Sequence, residues 1–83
     1  MITQVAEAMS RREKLVAALS NHPNKVTFAE VRALLTIEEF TLVRVTGSHH
    51  VFSKDDVTLV IPVHKNSVKA VYIKRILDLI EGE

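Results

Sequence analysis

Three histidines and a lysine lie close together in one part of this 83-residue chain. Gly47-Ser48-His49-His50 stands between two runs of β-branched residues, and Ile61-Pro62-Val63-His64-Lys65 follows shortly after. Histidine is the only side chain whose unperturbed pKa lies near neutrality, and lysine commonly binds phosphate. The pattern therefore predicts a site for proton transfer at a phosphate.

Composition limits the classes of protein that this chain can represent. With 47% hydrophobic and 25% charged residues, the chain is typical of one small globular domain. The absence of cysteine excludes disulfides and thiol chemistry and favours a reducing compartment, so we expect a cytoplasmic protein. We expect neither an export signal nor a membrane span, because no segment approaches about 18 consecutive apolar residues. A net charge of +1 indicates that any cationic surface is local.

Hydrophobic periodicity predicts an α+β fold of three helices and three strands. The predicted helices are Val5–Leu19, Thr27–Glu38 and Ser67–Glu81. The predicted strands are Phe40–Val45, Val51–Phe52 and Val57–Val63. Thr27 and Glu30 have the spacing of a capping box, and Ser67 is a candidate N-cap of the last helix. The order predicts an antiparallel meander between the second and third helices.

Turn lengths predict the strand register. A two-residue turn at Asp55-Asp56 pairs His49 with Pro62 in the second hairpin. A three-residue turn over 46–48 pairs Val45 with His49 in the first hairpin. The other expected pairs of the first hairpin are Val43 with Val51, Leu42 with Phe52 and Thr41 with Ser53. The helices are expected to cover the sheet face formed by Leu42, Phe52, Leu59 and Ile61.

The register assigns the histidines to the two faces of the sheet. His49 should point to the open face, because successive strand residues alternate between faces. His64 falls on that same face, diagonal to His49 across the hairpin. His50 should lie at the rim of the covered face beside Arg44, where a hydrogen bond can position the turn.

Four motifs follow one another at a defined spacing. They are Phe28-x-x-Val31-x-x-Leu34-Leu35, Phe40-x-Leu42-Val43-Arg44-x-x-Gly47-Ser48-His49-His50-x-Phe52, Ile61-Pro62-Val63-His64-Lys65 and Ile73-x-x-Ile76-Leu77. This combination resembles the HicA toxins of bacterial toxin–antitoxin modules. One departure is Glu39, because a glycine commonly precedes the aromatic residue that opens the first strand in that family.

The resemblance implies a fold, an activity and a partner. The fold is of the double-stranded-RNA-binding type, with an α-β-β-β-α core over 25–83 and an extra N-terminal helix and linker over 1–24. The activity is endoribonuclease cleavage of mRNA with neither metal nor other cofactor, and the partner is a HicB-like antitoxin that occludes the site. The family's catalytic histidine directly follows Gly-Ser, which here is His49.

Metal-independent RNA cleavage needs a base, a cation and an acid. His49 is the candidate base, and His64 or a water molecule is the candidate acid. The candidates for holding phosphate are Lys65, Arg44 and Lys54. The turn residues Gly47, Ser48 and His50 are expected to shape the site.

Three other interpretations fit the same residues. A zinc site would need His49 and His50 on one face, which strand alternation disfavours. A non-catalytic RNA-binding module of the same fold would use the cations without breaking a bond. A protein-interaction module is indicated by an apolar strip of Val43, Val51 and Val60 on the open face, which the N-terminal helix could cover within the chain or in a homo-oligomer.

Overall fold

The computed structural model describes residues 10–81 and has a helical layer on one face of a three-stranded sheet. The elements are α1 Arg11–Asn21, a 3₁₀ turn Pro23–Lys25, α2 Phe28–Ile37, β1 Thr41–Thr46, β2 His49–Lys54, β3 Val57–Pro62 and α3 Ala70–Glu81. The strands pair antiparallel in the order β1-β2-β3. The predicted α+β fold is confirmed. No helix within 10–81 is long and apolar enough to cross a bilayer.

Capping boxes set the starts of α1 and α2. The Thr27 amide donates to the Glu30 carboxylate at 3.0 Å, and the Glu30 amide donates back to the Thr27 hydroxyl, so α2 begins where the sequence predicts. Ser10 and Glu13 form the same arrangement at α1. The predicted helix Val5–Leu19 is therefore not continuous through Ser10, whose extended backbone caps α1; the part of the prediction before Ser10 lies outside the described residues.

The last helix also begins later than predicted. Ser67 is not its N-cap, because its backbone exchanges two hydrogen bonds with His64, at 2.9 and 3.0 Å, and forms a bridge with Thr27. These bonds hold the chain away from helical geometry until Ala70, where α3 begins. The Lys69 carbonyl accepts the first helical bonds.

A single apolar core lies between the helices and the covered sheet face. Its buried members are Leu19, Val26, Val31, Leu34, Leu35, Phe40, Phe52, Leu59, Ile61, Val68, Ile73 and Ile76. Three of the four residues predicted for that face are buried and Leu42 is half-buried, which confirms the prediction. Each fully buried side chain of this size contributes about 1.5–3 kcal/mol relative to exposure.

The helix α1 belongs to the helical layer. It packs against α2 and α3, and Arg12 forms an ion pair with Glu38 at the end of α2. Its described residues do not cover the apolar strip of the open face, because Val43 and Val60 stay 56% and 44% exposed. Helix α1 therefore does not shield the open face within the chain.

The connection from α2 to β1 is a Schellman motif. The Phe40 amide donates to the Leu35 carbonyl at 2.8 Å, and the Glu39 amide donates to the Thr36 carbonyl at 3.0 Å. Glu39 has φ +73°, a left-handed conformation that costs a residue with a β-carbon about 1–2 kcal/mol. Glu39 thus adopts the left-handed backbone conformation that glycine favours.

The second hairpin has the predicted register, and the first does not. In the second, His49 pairs with Pro62 and every expected pair through Lys54 and Val57 is present. In the first, Thr46 pairs with His49 around a two-residue Gly47-Ser48 turn, so the predicted pairing of Val45 with His49 is wrong. Glycine with φ +61° at the first turn position is typical of the tight type II′ turn.

A β-bulge in β1 reconciles the tight turn with the rest of the hairpin. Leu42 still pairs with Phe52 as predicted, but Arg44 rather than Val43 pairs with Val51. Val43 is the extra residue, and the predicted pair of Val43 with Val51 is wrong. Because one inserted residue reverses the side-chain alternation, the bulge changes the face on which the rest of β1 presents its side chains.

Candidate active site on the open sheet face

His49 lies on the open face at the end of the sheet. It stands in a row with Thr46 on β1 and Pro62 on β3, and its side chain is exposed. Among residues 10–81 the ring has no hydrogen-bond partner, so its nitrogens are not engaged by another described residue. The position agrees with the prediction that His49 points away from the helices.

Arg44 lies on the same face as His49 because of the bulge. It pairs with Val51, two residues along β2 from His49, and is therefore the diagonal neighbour of the histidine. Diagonal neighbours have Cα atoms about 7–8 Å apart, within reach of a long side chain. The sequence register had instead put Arg44 beside His50; that part of the prediction is wrong, since His50 pairs with Val45.

The turn before His49 is held by two contacts to one carbonyl. The Ser48 carbonyl accepts from the Val63 amide at 2.8 Å and lies 3.2 Å from Nδ1 of His50. A carbonyl can only accept, so Nδ1 of His50 carries the proton in this contact. These bonds join the Gly47-Ser48 turn to the end of β3 and to the core side of β2.

Phe28 is a site-supporting residue that sequence reasoning missed. Its ring packs on the ring of His50 with centroids 4.4 Å apart, and its amide donates to the Asn66 carbonyl at 2.8 Å. The first residue of α2 therefore contacts both the strand residue next to His49 and the turn that contains Lys65 and Asn66. The sequence feature that could have indicated this role is an aromatic residue directly after a capping threonine. At that position the side chain can pack on a neighbouring element.

His64 and Lys65 belong to a tight turn beside the hairpin. The bond from Val63 to Ser48 extends the contacts between β2 and β3 one residue past Pro62, and His64 then pairs with Ser67 across the next turn. His64 is exposed. Lys65 and Asn66 both have left-handed backbones, with φ +50° and +68°, as a two-residue I′ turn requires. Left-handed lysine is uncommon, and such conformations concentrate at functional sites.

Lys54 is not brought together with these groups. It lies at the opposite end of β2, about 17 Å along the strand from His49 at 3.4 Å per residue. It also faces the covered side, where its ammonium group lies 5.7 Å from the centroid of the Phe40 ring. Of the three candidate phosphate ligands, Arg44 is therefore the one that the strand register places on the same face as His49, and Lys54 lies on the other face.

The histidines do not converge as metal ligands in the described structure. His49 and His50 point to opposite faces of β2. Within residues 10–81, no group of three or more histidine, aspartate or glutamate side chains lies close enough together to hold a metal ion.

Comparison with known proteins identifies the family. The profile of one family, described as the HicA toxin of bacterial toxin–antitoxin systems, matches residues 28–81, from the first residue of α2 to the last of α3. No curated protein and no solved structure gave a match. The α-β-β-β-α order and the matched span define a toxin of a toxin–antitoxin module. The chain belongs to the HicA toxin family, and membership implies a cognate antitoxin as partner.

Proposed function

We propose that this toxin is an endoribonuclease that cleaves mRNA, with His49 as the general base. The observation that carries the proposal is the exposed imidazole of His49 on the open face, with Arg44 diagonal to it. Among the described residues, no helix covers this sheet face, where Val43 and Val60 are also exposed, and an RNA strand can therefore approach that ring. The surrounding turns hold the backbone of His49 in place, which a positioned base requires.

The reaction can be written from these side chains without a metal. A ring nitrogen of His49 removes the proton of a ribose 2′-hydroxyl, and the 2′-oxygen bonds to the adjacent phosphorus. The bond from phosphorus to the 5′-oxygen breaks, and an acid protonates that leaving oxygen. The products are a 2′,3′-cyclic phosphate and a free 5′-hydroxyl. A positioned acid or base of this kind typically contributes about 10²–10⁴-fold to the rate.

The cation and the acid come from the neighbouring elements. Arg44 is the proposed ligand of the reacting phosphate, because a guanidinium can donate two parallel hydrogen bonds to its oxygens. Lys65 is the proposed second cation, presented by its left-handed turn. His64 is the proposed acid, because it is exposed and follows two residues after Pro62, the strand partner of His49.

The cognate antitoxin is proposed to inhibit by covering this same face. Val43 and Val60 are 56% and 44% exposed there, and soluble proteins seldom leave neighbouring apolar side chains uncovered. An antitoxin that buried these valines would also block access to His49. One surface would then serve both substrate and inhibitor.

The test is cleavage of end-labelled RNA by purified protein in EDTA. We expect discrete products with cyclic phosphate ends from the native protein and none from His49→Ala. His22→Ala is the matched control, because His22 is also exposed but lies in the linker after α1. In cells, induction of the native protein and of the His22 variant should arrest growth, and induction of the His49 variant should not. Full activity of His49→Ala would refute the assignment, and binding without cleavage by the native protein would favour a non-catalytic RNA-binding module.

A further inference from the structure

The outer side of α2 carries a groove that the proposed reaction does not use. Its volume is about 440 Å³, in the range of sites that accept a small ligand. Ala29, Ala33 and Ile37 make part of its wall apolar, and Arg11 and Arg32 contribute two guanidinium groups. The groove therefore combines an apolar surface with positive charge.

The charge of the groove favours an anionic ligand. Among the described residues, its lining contains two arginines and no carboxylate. Two carboxylates of α2 and its C-cap are engaged elsewhere: Glu30 accepts a hydrogen bond from the Thr27 amide, and Glu38 pairs with Arg12. Arg32 is exposed and forms no ion pair with a described residue. Because arginine binds phosphate through paired hydrogen bonds, the groove can hold the backbone of a nucleic acid.

Phe28 and Asn66, which both line the groove, connect it to the proposed active site. The ring of Phe28 packs on His50, the neighbour of His49 in β2. The Phe28 amide donates to the Asn66 carbonyl at 2.8 Å, and Asn66 directly follows Lys65 in the left-handed turn. A nucleic-acid strand that passes Lys65 therefore reaches the groove at Asn66.

The opposite end of the open face disfavours a nucleic acid. Asp55 and Asp56 join β2 to β3 at that end, and Glu39 precedes β1 there. These carboxylates repel a phosphodiester chain, and the lysine of that end, Lys54, faces the covered side. A substrate that extends beyond the catalytic histidine is therefore directed towards the turn of Lys65 and the groove behind it.

We propose that the groove binds the single-stranded RNA segment next to the cleaved phosphate. The inference rests on the proposed ribonuclease function, because the groove takes another part of the same substrate. Arg11 and Arg32 hold phosphates of this segment, and a base or ribose lies against the apolar wall beside the Phe28 ring. The amide of Asn66 can donate to and accept from a base edge, as in the recognition of unpaired bases.

Substrate length separates binding in the groove from catalysis. A dinucleotide contains only the cleaved phosphodiester, whereas an octanucleotide extends into the groove. Arg32→Glu should raise KM for the octanucleotide about ten-fold, as for the loss of one charge-assisted hydrogen bond, and leave kcat and the cleavage of the dinucleotide unchanged. Arg75→Glu is the matched control with the same change of charge, because Arg75 is exposed on α3 and does not line the groove. Its KM should stay close to the native value for both substrates.

Binding of a 2′-O-methyl octanucleotide, which cannot be cleaved, gives a readout that does not depend on catalysis. Its Kd, measured by fluorescence anisotropy, should rise about ten-fold in Arg32→Glu and stay near the native value in Arg75→Glu. Equal Kd values in the two variants would refute the RNA site and favour an acidic segment of a partner protein as the occupant. If the native protein cleaved neither RNA, the ribonuclease function would be refuted, and the two Kd values would still decide whether the groove binds RNA.

Discussion

Replacing Glu39 by glycine should stabilise this protein. Glu39 holds φ +73° at the end of α2, a conformation that costs a residue with a β-carbon about 1–2 kcal/mol. Glycine removes that cost but loses about 0.5–1 kcal/mol of additional chain entropy on folding. The difference is a gain of about 0.5–1 kcal/mol in the free energy of unfolding. Since 1 kcal/mol shifts the Tm of a domain of this size by roughly 4–8 °C, Glu39→Gly should raise the Tm by about 2–8 °C.

A second substitution separates the backbone effect from the effect of charge. A carboxylate at a helix C-terminus opposes the helix dipole, so Glu39→Gln also removes a small unfavourable interaction, which salt screens. It keeps the β-carbon and the strain. We expect urea unfolding and thermal scans to show a larger gain for glycine than for glutamine, and the excess should persist at high salt. Equal gains in the two variants, or a loss in Glu39→Gly, would refute the strain argument.

Substitutions at Gly47, His50 and Arg44 test the elements around His49, with Lys54→Ala as a control. Gly47→Ala should lower the free energy of unfolding by about 1–2 kcal/mol in urea, because φ is +61°, although an added β-carbon would meet no atom within 4 Å; unchanged stability would contradict this. His50→Ala removes the contact with Ser48 and should lower stability by about 1 kcal/mol while RNA cleavage is reduced but not abolished. Arg44→Ala should weaken RNA binding. It should also reduce by about 1 the slope of the logarithm of the binding constant against the logarithm of the salt concentration, whereas Lys54→Ala should leave RNA cleavage unchanged.

The second hairpin shows what a single sequence can determine. Asp55-Asp56 is a two-residue turn, and Asp55 adopts φ +52° as such turns require. Once the turn is fixed, every later pair follows, and the resulting register buries Phe52, Leu59 and Ile61 together. Local turn chemistry and the burial pattern agree, so the register was predictable to the last pair. The capping box that begins α2 was predictable for the same reason, because both of its partners lie within one turn.

The first hairpin shows where such reasoning stops. The Gly47 turn is compatible with two or three residues, and the shorter turn is accommodated only by the bulge in β1. A bulge has no local signature here, since Leu42-Val43-Arg44 reads as ordinary strand. It is selected by the combined demands of a tight turn at one end and a buried Leu42 at the other. The start of α1 was missed differently: apolar spacing continued across Ser10, and the capping box there was overlooked.

The bulge also determines which chemistry the open face can support. Without it, alternation along β1 would direct Arg44 to the covered side with His50, and no arginine would stand beside His49. With the extra residue at Val43, Arg44 moves to the open face while Leu42 keeps its place over the core. One inserted residue thus places Arg44 on the same face as His49, while Leu42 keeps its contact with the core. Because bulges bend strands and redirect side chains next to functional sites, the irregularity in β1 belongs to the proposed site as much as the histidine does.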